Sequence, residues 1–277
     1  MRQLKEKLSA LIITYNEIGY IERCLESVAF ADEIIVVDSY STDGTYEYLK
    51  AQPNVRVIQH PFQNFTTQKA YTLSLASHDW VLFIDADEVV PPSLRREIIS
   101  TISGQTDKAA YWFYRRFMFR DQPLHFSGWQ TDKNYRLFRK SKAKFSSKRL
   151  VHETLEINGE SGVLKEKLIH YSFKSFDNYK GKMLQYGRLK AKEAFRNNKR
   201  FSYAKLIIKP FWRFFNNYFI RLGIFDGIKG INICYLGALE DLERYRELQR
   251  LERTTAYTSR PQPAKSGRII EVPGLGS

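Results

Sequence analysis

The sequence predicts an α/β fold, a mostly parallel sheet flanked by helices, followed by a helical C-terminal region. Two observations predict the sheet. Short apolar runs alternate with helical patterns over the first hundred residues, and polar or acidic residues directly follow three of those runs. The C-terminal region is predicted from a basic helical pattern and from aromatic residues interleaved with lysine and arginine.

Strands and helices alternate regularly in the first hundred residues. Apolar runs at 8–14, 33–37, 55–58 and 80–84 predict strands, and the segments 18–28, 45–51 and 66–76 predict the intervening helices. Pro91 and Pro92 then open a further helix at Ser93. Because parallel strands joined by right-handed crossovers end at one edge of a sheet, we expect the residues that follow these strands to lie together.

The C-terminal half has a different composition. Residues 175–198 show a basic helical pattern, and residues 201–235 concentrate aromatic side chains between lysines and arginines. Helix breakers predict that this second segment forms short helices: Pro210, Gly223, Asp226, Gly227 and Gly230. Residues 241–253 favour a charged helix, and residues 254–277, rich in Pro, Gly and Ser, predict a flexible tail.

The charge distribution implies two surfaces with different partners. Residues 1–106 carry 9 basic and 14 acidic side chains, whereas residues 107–253 carry 32 basic and 15 acidic ones. No usual nucleic-acid motif accompanies the basic half, so we expect no nucleic-acid partner, with RNA binding as a minor alternative. Only two cysteines, Cys24 and Cys234, occur, which favours a reducing compartment over a disulfide framework or a structural zinc site.

Asp38 directly follows a four-residue apolar run at 34–37. A carboxylate there is destabilising unless it meets hydrogen-bond donors or stays open to water, and a pyrimidine ring with its ribose offers such donors. The neighbouring segment, Ser41 to Thr45, has a simpler interpretation as a helix start with Asp43 in the first turn. That interpretation leaves Asp38 unexplained.

Asp85 and Asp87 follow the fourth predicted strand and face the same way if extended geometry continues. One carboxylate can take a ribose hydroxyl while the other binds Mg²⁺ or Mn²⁺ bridging two phosphates; a solvated turn is the alternative. The sequence has neither the dinucleotide-binding glycine pattern nor a P-loop. Lys69 is therefore a candidate for binding the diphosphate, with a solvated helix lysine as the alternative.

Three ordered motifs resemble the family 2 inverting glycosyltransferases of the GT-A fold. They are Ile12-Ile13-Thr14-Tyr15-Asn16-Glu17, Val36-Val37-Asp38-Ser39 with Thr42-Asp43-Gly44-Thr45, and Phe83-Ile84-Asp85-Ala86-Asp87-Glu88. Farther along, Trp129, Arg136-Leu137-Phe138-Arg139, Val151-His152-Glu153 and Leu168-Ile169-His170-Tyr171 are similar to the bacterial subgroup that includes lipopolysaccharide core β-glucosyltransferases. The resemblance implies a Rossmann-like, mostly parallel sheet with helices on both faces.

The resemblance also assigns site residues. It implies a uridine pocket lined by Thr14, Asn16, Glu17 and Asp38, with Asp85 at the ribose and Ala86 in the same substrate-binding segment. Asp87 would ligate the metal, His170 would approach the metal or the diphosphate, and Gly128 with Trp129 would border the donor sugar and the acceptor. For His170 the alternative is a hydrogen bond within the core, and for Trp129 it is packing.

Glu153 falls where the resemblance places the catalytic base. Many relatives have Glu-Asp at that point, whereas this chain has His152-Glu153, and an exposed strand residue is the alternative interpretation. In the implied reaction, Glu153 takes the proton of an acceptor hydroxyl that attacks the anomeric carbon.

The expected function is transfer of a hexose, with UDP-glucose the favoured donor, to a bacterial surface glycolipid such as the lipopolysaccharide inner core. The alternatives are transfer to a polyprenyl phosphate and nucleotide or RNA binding without catalysis. The expected organisation is a GT-A domain at 1–172, with a nucleotide-binding half at 1–106 and an acceptor half at 107–172, then a basic amphipathic helical region at 173–253 and a tail at 254–277.

Residues 201–235 have the composition of a membrane-interfacial segment. The basic excess suits an anionic membrane surface, and no window offers the roughly 20 apolar residues that a spanning helix needs. We expect a cytoplasmic protein that is peripheral on the inner face of the cell membrane. The alternative is a helical subdomain that packs on the sheet or on another subunit of a homo-oligomer.

Overall fold

A computed structural model describes residues 6–104, 106–129, 132–146 and 154–258. Its first half confirms the predicted alternation of strands and helices. The elements are β1 (Leu8–Thr14), α1 (Ile21–Val28), β2 (Glu33–Asp38), α2 (Thr45–Lys50), β3 (Arg56–Gln59), α3 (Phe65–Ser74) and β4 (Trp80–Asp85). The four strands are parallel neighbours in the order β3-β2-β1-β4, so their carboxyl ends lie at one edge.

The sheet continues beyond β4 with strands from the middle of the chain. These elements are β5 (Glu88–Val89), α4 (Pro92–Ser103), β6 (Ala110–Phe119), β7 (Gln122–Pro123), β8 (Lys133–Arg139), β9 (Ala143–Ser146), β10 (Thr154–Ile157), β11 (Ser161–Val163) and β12 (Leu168–Phe173). The order after β4 is β8-β6-β12-β5, where β8 is antiparallel to both neighbours and β12 is parallel to β6. The result is the mixed, mostly parallel sheet of a GT-A architecture.

Both faces of the parallel strands are covered by helices. Side chains of one face, including Ile12 and Val36, pack with Cys24 of α1 and Ile98 of α4. The other face, which includes Phe83, packs with α3. Burial on both faces explains why these strands are nearly continuous apolar runs without alternation.

The C-terminal region is helical. Its elements are α5 (Phe176–Arg196), α6 (Tyr203–Phe215), a π turn (Asn216–Ile220), a 3₁₀ turn (Gly223–Asp226) and α7 (Ile228–Thr258). Glu240 of α7 is buried and pairs with Lys190 of α5 at 2.5 Å and with Arg213 of α6 at 2.8 Å. Its carboxylate therefore joins all three helices, and its partners hold its pKa below the usual value although burial raises it.

Three sequence expectations for this region are wrong in detail. Pro210 lies inside α6, which continues through it although a proline removes a backbone hydrogen bond from a helix and crowds the preceding turn. Gly230 lies inside α7, where a Cβ atom would come within 1.9 Å of the Gly223 carbonyl oxygen. The predicted tail starts too early, since residues 254–258 continue α7.

Within the described ranges, no single helix is long and apolar enough to cross a membrane. One pair, Tyr203–Ile220 with Gly223–Thr255, has the required length and composition when its members are taken together. The two members are bent by 75° relative to each other.

Candidate active site

Three site residues lie at the ends of neighbouring parallel strands. Thr14 ends β1, where it pairs with Asp38 of β2, and Ile13 pairs with Asp85 at the end of β4. Asp87 follows two residues later. The sequence expectation that Asp38, Asp85 and Asp87 meet at one sheet edge agrees with this register, and we call these three residues the acidic rim.

Asp38 is fully buried and accepts its hydrogen bonds from the chain itself. The Ser41 backbone nitrogen donates at 3.0 Å, the Ser41 hydroxyl at 2.5 Å and the Gln59 amide at 3.2 Å. These protein groups supply donors that the sequence argument assigned to a nucleoside. Asp38 therefore organises the loop that follows β2.

That loop is tied to the loop after β1. Asn16 has a positive φ of 55°, its backbone nitrogen donates to the Ser41 hydroxyl at 2.9 Å, and its side-chain oxygen accepts from the Thr42 nitrogen at 2.8 Å. Asp43 precedes α2 and accepts from the Ile18 and Thr45 backbone nitrogens, so it lies just before the first helical turn and not in it. The two loops form one hydrogen-bonded unit beside Thr14.

Thr14 and Glu17 are two polar residues of this unit whose side chains could contact a ligand. The Thr14 hydroxyl is buried and has no hydrogen-bond partner among the described residues, which leaves a position that a ligand could occupy. Glu17 forms an ion pair with Lys174, which directly follows β12. Burial raises the pKa of Glu17 in spite of the Lys174 ammonium.

Asp85 lies between two cations. Its carboxylate is 2.5 Å from Arg136 Nη2 and 3.5 Å from Lys69 Nζ, and both basic side chains are buried. Burial alone would raise the pKa of Asp85, but Arg136 and then Lys69 hold it well below its usual range. The alternative of a solvated Lys69 is wrong, because its side chain is buried and its Nζ lies 5.7 Å from the centroid of the Phe83 ring.

Glu88 extends this charge network. It is fully buried and contacts Arg136 at 2.5 Å and Arg115 at 3.2 Å, while its second oxygen accepts from the Asp85 backbone nitrogen at 2.9 Å. Arg115 also forms an ion pair with Asp132 at 2.6 Å. The network fixes the backbone at the end of β4 and so orients Asp85 and its neighbours Ala86, which is buried, and Asp87.

Asp87 and His170 face each other. His170 Nε2 is 3.5 Å from Asp87 Oδ2, and the Tyr171 backbone nitrogen donates to the Asp87 carbonyl at 2.8 Å. Although burial raises the pKa of Asp87, His170 brings it below its usual value. The buried His170 Nδ1 has no hydrogen-bond partner within the described part of the chain.

This pair fits a divalent cation that takes its remaining ligands from a substrate. No group of three or more His, Cys, Asp or Glu side chains in the described ranges is arranged to hold a metal. One carboxylate and one imidazole would therefore supply two ligands, and phosphate oxygens and water would supply the others, as Mg²⁺ and Mn²⁺ commonly have them.

Trp129 and Gly128 connect the site to the C-terminal helices. The Trp129 ring stacks on Phe117 with centroids 4.3 Å apart, and the edge of Phe117 meets His170 at 5.7 Å. Gly128 has a positive φ of 92°, and its carbonyl accepts from Arg221 at 3.1 Å. The prediction that Trp129 packs against other side chains is confirmed. Phe117 lies between its ring and His170.

Glu153 and His152 lie outside the described residues, so the expectation of a catalytic base stays a prediction. The sequence analysis assigned no site role to four charged residues that the fold brings near Asp85 or Glu17: Glu88, Arg115, Arg136 and Lys174. A signal for Arg136 was present, because it directly precedes the apolar pair Leu137 and Phe138, and in the structure it is buried with them in β8. Lys174 is brought to Glu17 only by the tertiary fold.

The mixed sheet, the helices on both faces and the acidic rim define a glycosyltransferase of the GT-A class. The family model for glycosyl transferase family 2 matches residues 9–161, and the chain belongs to this family.

Relatives extend the similarity along almost the whole chain. An uncharacterised glycosyltransferase of Rickettsia bellii is 30% identical over 98% of this chain and 95% of its own length. The lipopolysaccharide core biosynthesis glycosyltransferase LpsC of Rhizobium meliloti is 31% identical over 85% of this chain and 89% of its own length.

Solved structures show weaker likeness. A fragment of S. aureus TarS in complex with UDP-GlcNAc is 17% identical, covers 90% of this chain and 92% of that one, and has a TM-score of 0.44. The glucosyl-3-phosphoglycerate synthase of Mycobacterium tuberculosis, in complex with Mn²⁺ and UDP, is 24% identical over 42% of this chain and 45% of that one, with a TM-score of 0.34. These scores are too low to indicate a donor or a metal for this chain.

Proposed function

We propose that this glycosyltransferase moves a hexose, with UDP-glucose the favoured donor, to a bacterial surface glycolipid of the lipopolysaccharide inner core. The observation that carries the sugar transfer is the acidic rim, where Asp85 is held by two cations and Asp87 faces His170 at the end of one strand. The acceptor class is supported by LpsC, a relative named for lipopolysaccharide core biosynthesis.

The donor nucleotide is proposed to bind along the ends of β1, β2 and β4. The Thr14 hydroxyl, which has no hydrogen-bond partner among the described residues, is available to a base, and Asn16 and Glu17 would border that base, while Asp38 keeps the neighbouring loop in place. Asp85 is ionised because Arg136 and Lys69 stabilise its charge, so it can accept a hydrogen bond from a ribose hydroxyl. Ala86, between the two aspartates, has its side chain in the hydrophobic core and would border the ribose through its backbone.

Positive charge for the diphosphate comes from several elements. Lys69 lies against Asp85, Lys174 against Glu17, and Lys182 of α5 is close enough to lower the pKa of Asp87. Asp87 and His170 would hold Mg²⁺ or Mn²⁺, which when bound offsets negative charge on the leaving diphosphate. Gly128 and Trp129 would border the sugar and the acceptor.

In the proposed reaction, the acceptor hydroxyl attacks the anomeric carbon on the face opposite the diphosphate. A new carbon–oxygen bond forms, the bond to the diphosphate oxygen breaks with inversion, and the hydroxyl proton passes to the Glu153 carboxylate. One carboxylate is sufficient for this step, since an inverting transfer forms no covalent intermediate with the enzyme.

A thermal-shift panel tests the proposal. UDP, GDP, CDP, dTDP and their glucose conjugates would be added to the protein with and without MnCl₂. We expect UDP and UDP-glucose with Mn²⁺ to stabilise the protein, by about 2.7 kcal/mol at a concentration of 100 Kd. Failure of every nucleotide to shift Tm, with or without metal, would overturn the donor site; a shift without any release of UDP from UDP-glucose would indicate a binding protein without catalysis.

A further inference from the structure

The C-terminal helices present an apolar surface that is exposed among the residues that the structure describes. We call residues 203–235, which comprise α6, the two short turns and the start of α7, the elbow. Fourteen large apolar side chains of the elbow are exposed, among them Phe211 at 68%, Phe225 at 72% and Ile228 at 81%. None of the side chains of α6 is buried. Contiguous apolar surfaces of this kind mark sites of association with a membrane or another protein.

The exposed charged side chains of the elbow are all positive. Five basic residues occur between 203 and 239, and the one acidic residue of that stretch is Asp226. Asp226 is buried and accepts hydrogen bonds from the His125 and Phe126 backbone nitrogens at 2.9 and 3.0 Å. Lys205 and Lys209 are exposed among the apolar side chains of α6. The elbow therefore offers apolar side chains and positive charge together, without an exposed carboxylate.

The elbow is fixed to the body of the enzyme. Asp226 also accepts from the Ser127 hydroxyl at 2.9 Å, Arg221 donates to the Gly128 carbonyl at 3.1 Å, and Lys229 donates to the Pro123 carbonyl at 3.2 Å. These bonds hold the segment 123–129, whose last residue, Trp129, stacks on the Phe117 ring that meets His170. The elbow therefore lies near the side of the site that the acceptor is proposed to approach. A membrane that binds the elbow would lie on that side as well.

We propose that the elbow docks on an anionic lipid surface, with its aromatic and aliphatic side chains among the headgroups and its lysines at the phosphates. Docking of this kind would bury the exposed apolar side chains and would pair the basic side chains with lipid phosphates. A second copy of the chain would bury the apolar side chains but would bring the basic side chains of two elbows together. The docking goes beyond the proposed sugar transfer and needs no nucleotide.

Vesicle flotation tests the docking. The full-length protein would be mixed with phosphatidylcholine vesicles that contain 0 or 30% phosphatidylglycerol, in low and high salt. We expect flotation with the anionic vesicles, at least tenfold weaker binding to the neutral ones, and release by high salt or alkaline carbonate. The emission of Trp212, which is 52% exposed on α6, should shift to the blue on binding, and Trp212→Phe should lose that shift.

Paired variants give the control. Ile207→Glu with Ile228→Glu introduces two carboxylates into the elbow at side chains that are 70% and 81% exposed, so the fold should tolerate them. We expect at least a tenfold loss of vesicle binding with little change in Tm. Val163→Glu with Leu189→Glu makes the same charge change at exposed apolar positions of β11 and α5 and should bind as the wild type does.

Four outcomes would overturn the proposal. They are equal binding by the two paired variants, no flotation of the wild type with any vesicle, retention in the membrane after carbonate treatment, which indicates a re-entrant insertion, and a stable dimer in solution that Ile207→Glu with Ile228→Glu dissociates. UDP-glucose hydrolysis measured without vesicles reports on the proposed function separately, since the paired substitutions lie outside the acidic rim.

Discussion

Single residues at the acidic rim balance opposite charges within a buried network. Asp85 and Glu88 both pair with Arg136. Lys69 also pairs with Asp85, and Arg115 also pairs with Glu88. A buried carboxylate that is paired in this way stays ionised, and removal of one partner would leave the other charge unpaired. The network consequently keeps Asp85 in one position before any substrate binds.

The depressed pKa of Asp85 predicts acid-dependent stability. Because the pKa is lower in the folded than in the unfolded chain, the carboxylate stabilises the fold above the unfolded pKa, near 4, and this contribution is lost as the pH falls toward the folded pKa. Urea unfolding at pH 7, 5, 4 and 3 should show a steeper decline for the wild type than for Asp85→Asn. Asp121→Asn, at an exposed position, should follow the wild type; parallel curves for all three proteins would contradict the assignment.

Glu153 is the proposed catalytic base. If its carboxylate takes the acceptor proton, Glu153→Gln keeps the size and one acceptor oxygen but removes the base. We expect kcat to fall by about 10²- to 10⁴-fold while Tm and the Kd for UDP stay within experimental error. Wild-type kcat in this variant would show that another group is the base. Loss of UDP binding would instead indicate that Glu153 acts in the donor pocket.

Secondary-structure elements were largely predictable from the sequence where the pattern is local. The four parallel strands and three helices of the first half follow from apolar periodicity, and their observed bounds differ from the predicted ones by a few residues. The C-terminal half was harder, because Pro210 and Gly230 suggest breaks that the fold does not make. At Gly230 the decisive factor is the close approach of Gly223, a contact across the turn that sequence patterns do not encode.

Gly230 packs closely against Gly223 of the 3₁₀ turn. A Cβ atom at position 230 would lie 1.9 Å from the Gly223 carbonyl oxygen, so Gly230→Ala must displace the 3₁₀ turn from α7. We expect a loss of about 3 kcal/mol in the free energy of unfolding. Gly181→Ala is the matched control in α5, where nothing lies within 4 Å, and it should stabilise by about 1 kcal/mol. Equal effects of the two substitutions in urea titrations would refute the close packing.

The molecule as a whole has two distinct charged regions, the acidic rim and the basic, apolar elbow. The sequence indicated both, because the acidic residues follow strands and the basic aromatic residues cluster after position 200. The connections between them were not predictable: the Glu17–Lys174 pair, the Asp226 bonds to the segment before Trp129 and the Glu240 link among three helices each join residues far apart in the chain. Such pairings depend on the tertiary fold alone.

Asp87 and its neighbours are proposed to form the donor site of a sugar transferase. Release of UDP from UDP-glucose with Mn²⁺ would be measured for the wild type, Asp87→Ala and the exposed control Asp121→Ala, with Tm recorded for each. We predict that Asp87→Ala lowers turnover by about 100-fold or more while its Tm stays near that of the wild type, and that Asp121→Ala is unaffected. Turnover by a folded Asp87→Ala protein at the wild-type rate would contradict the claim.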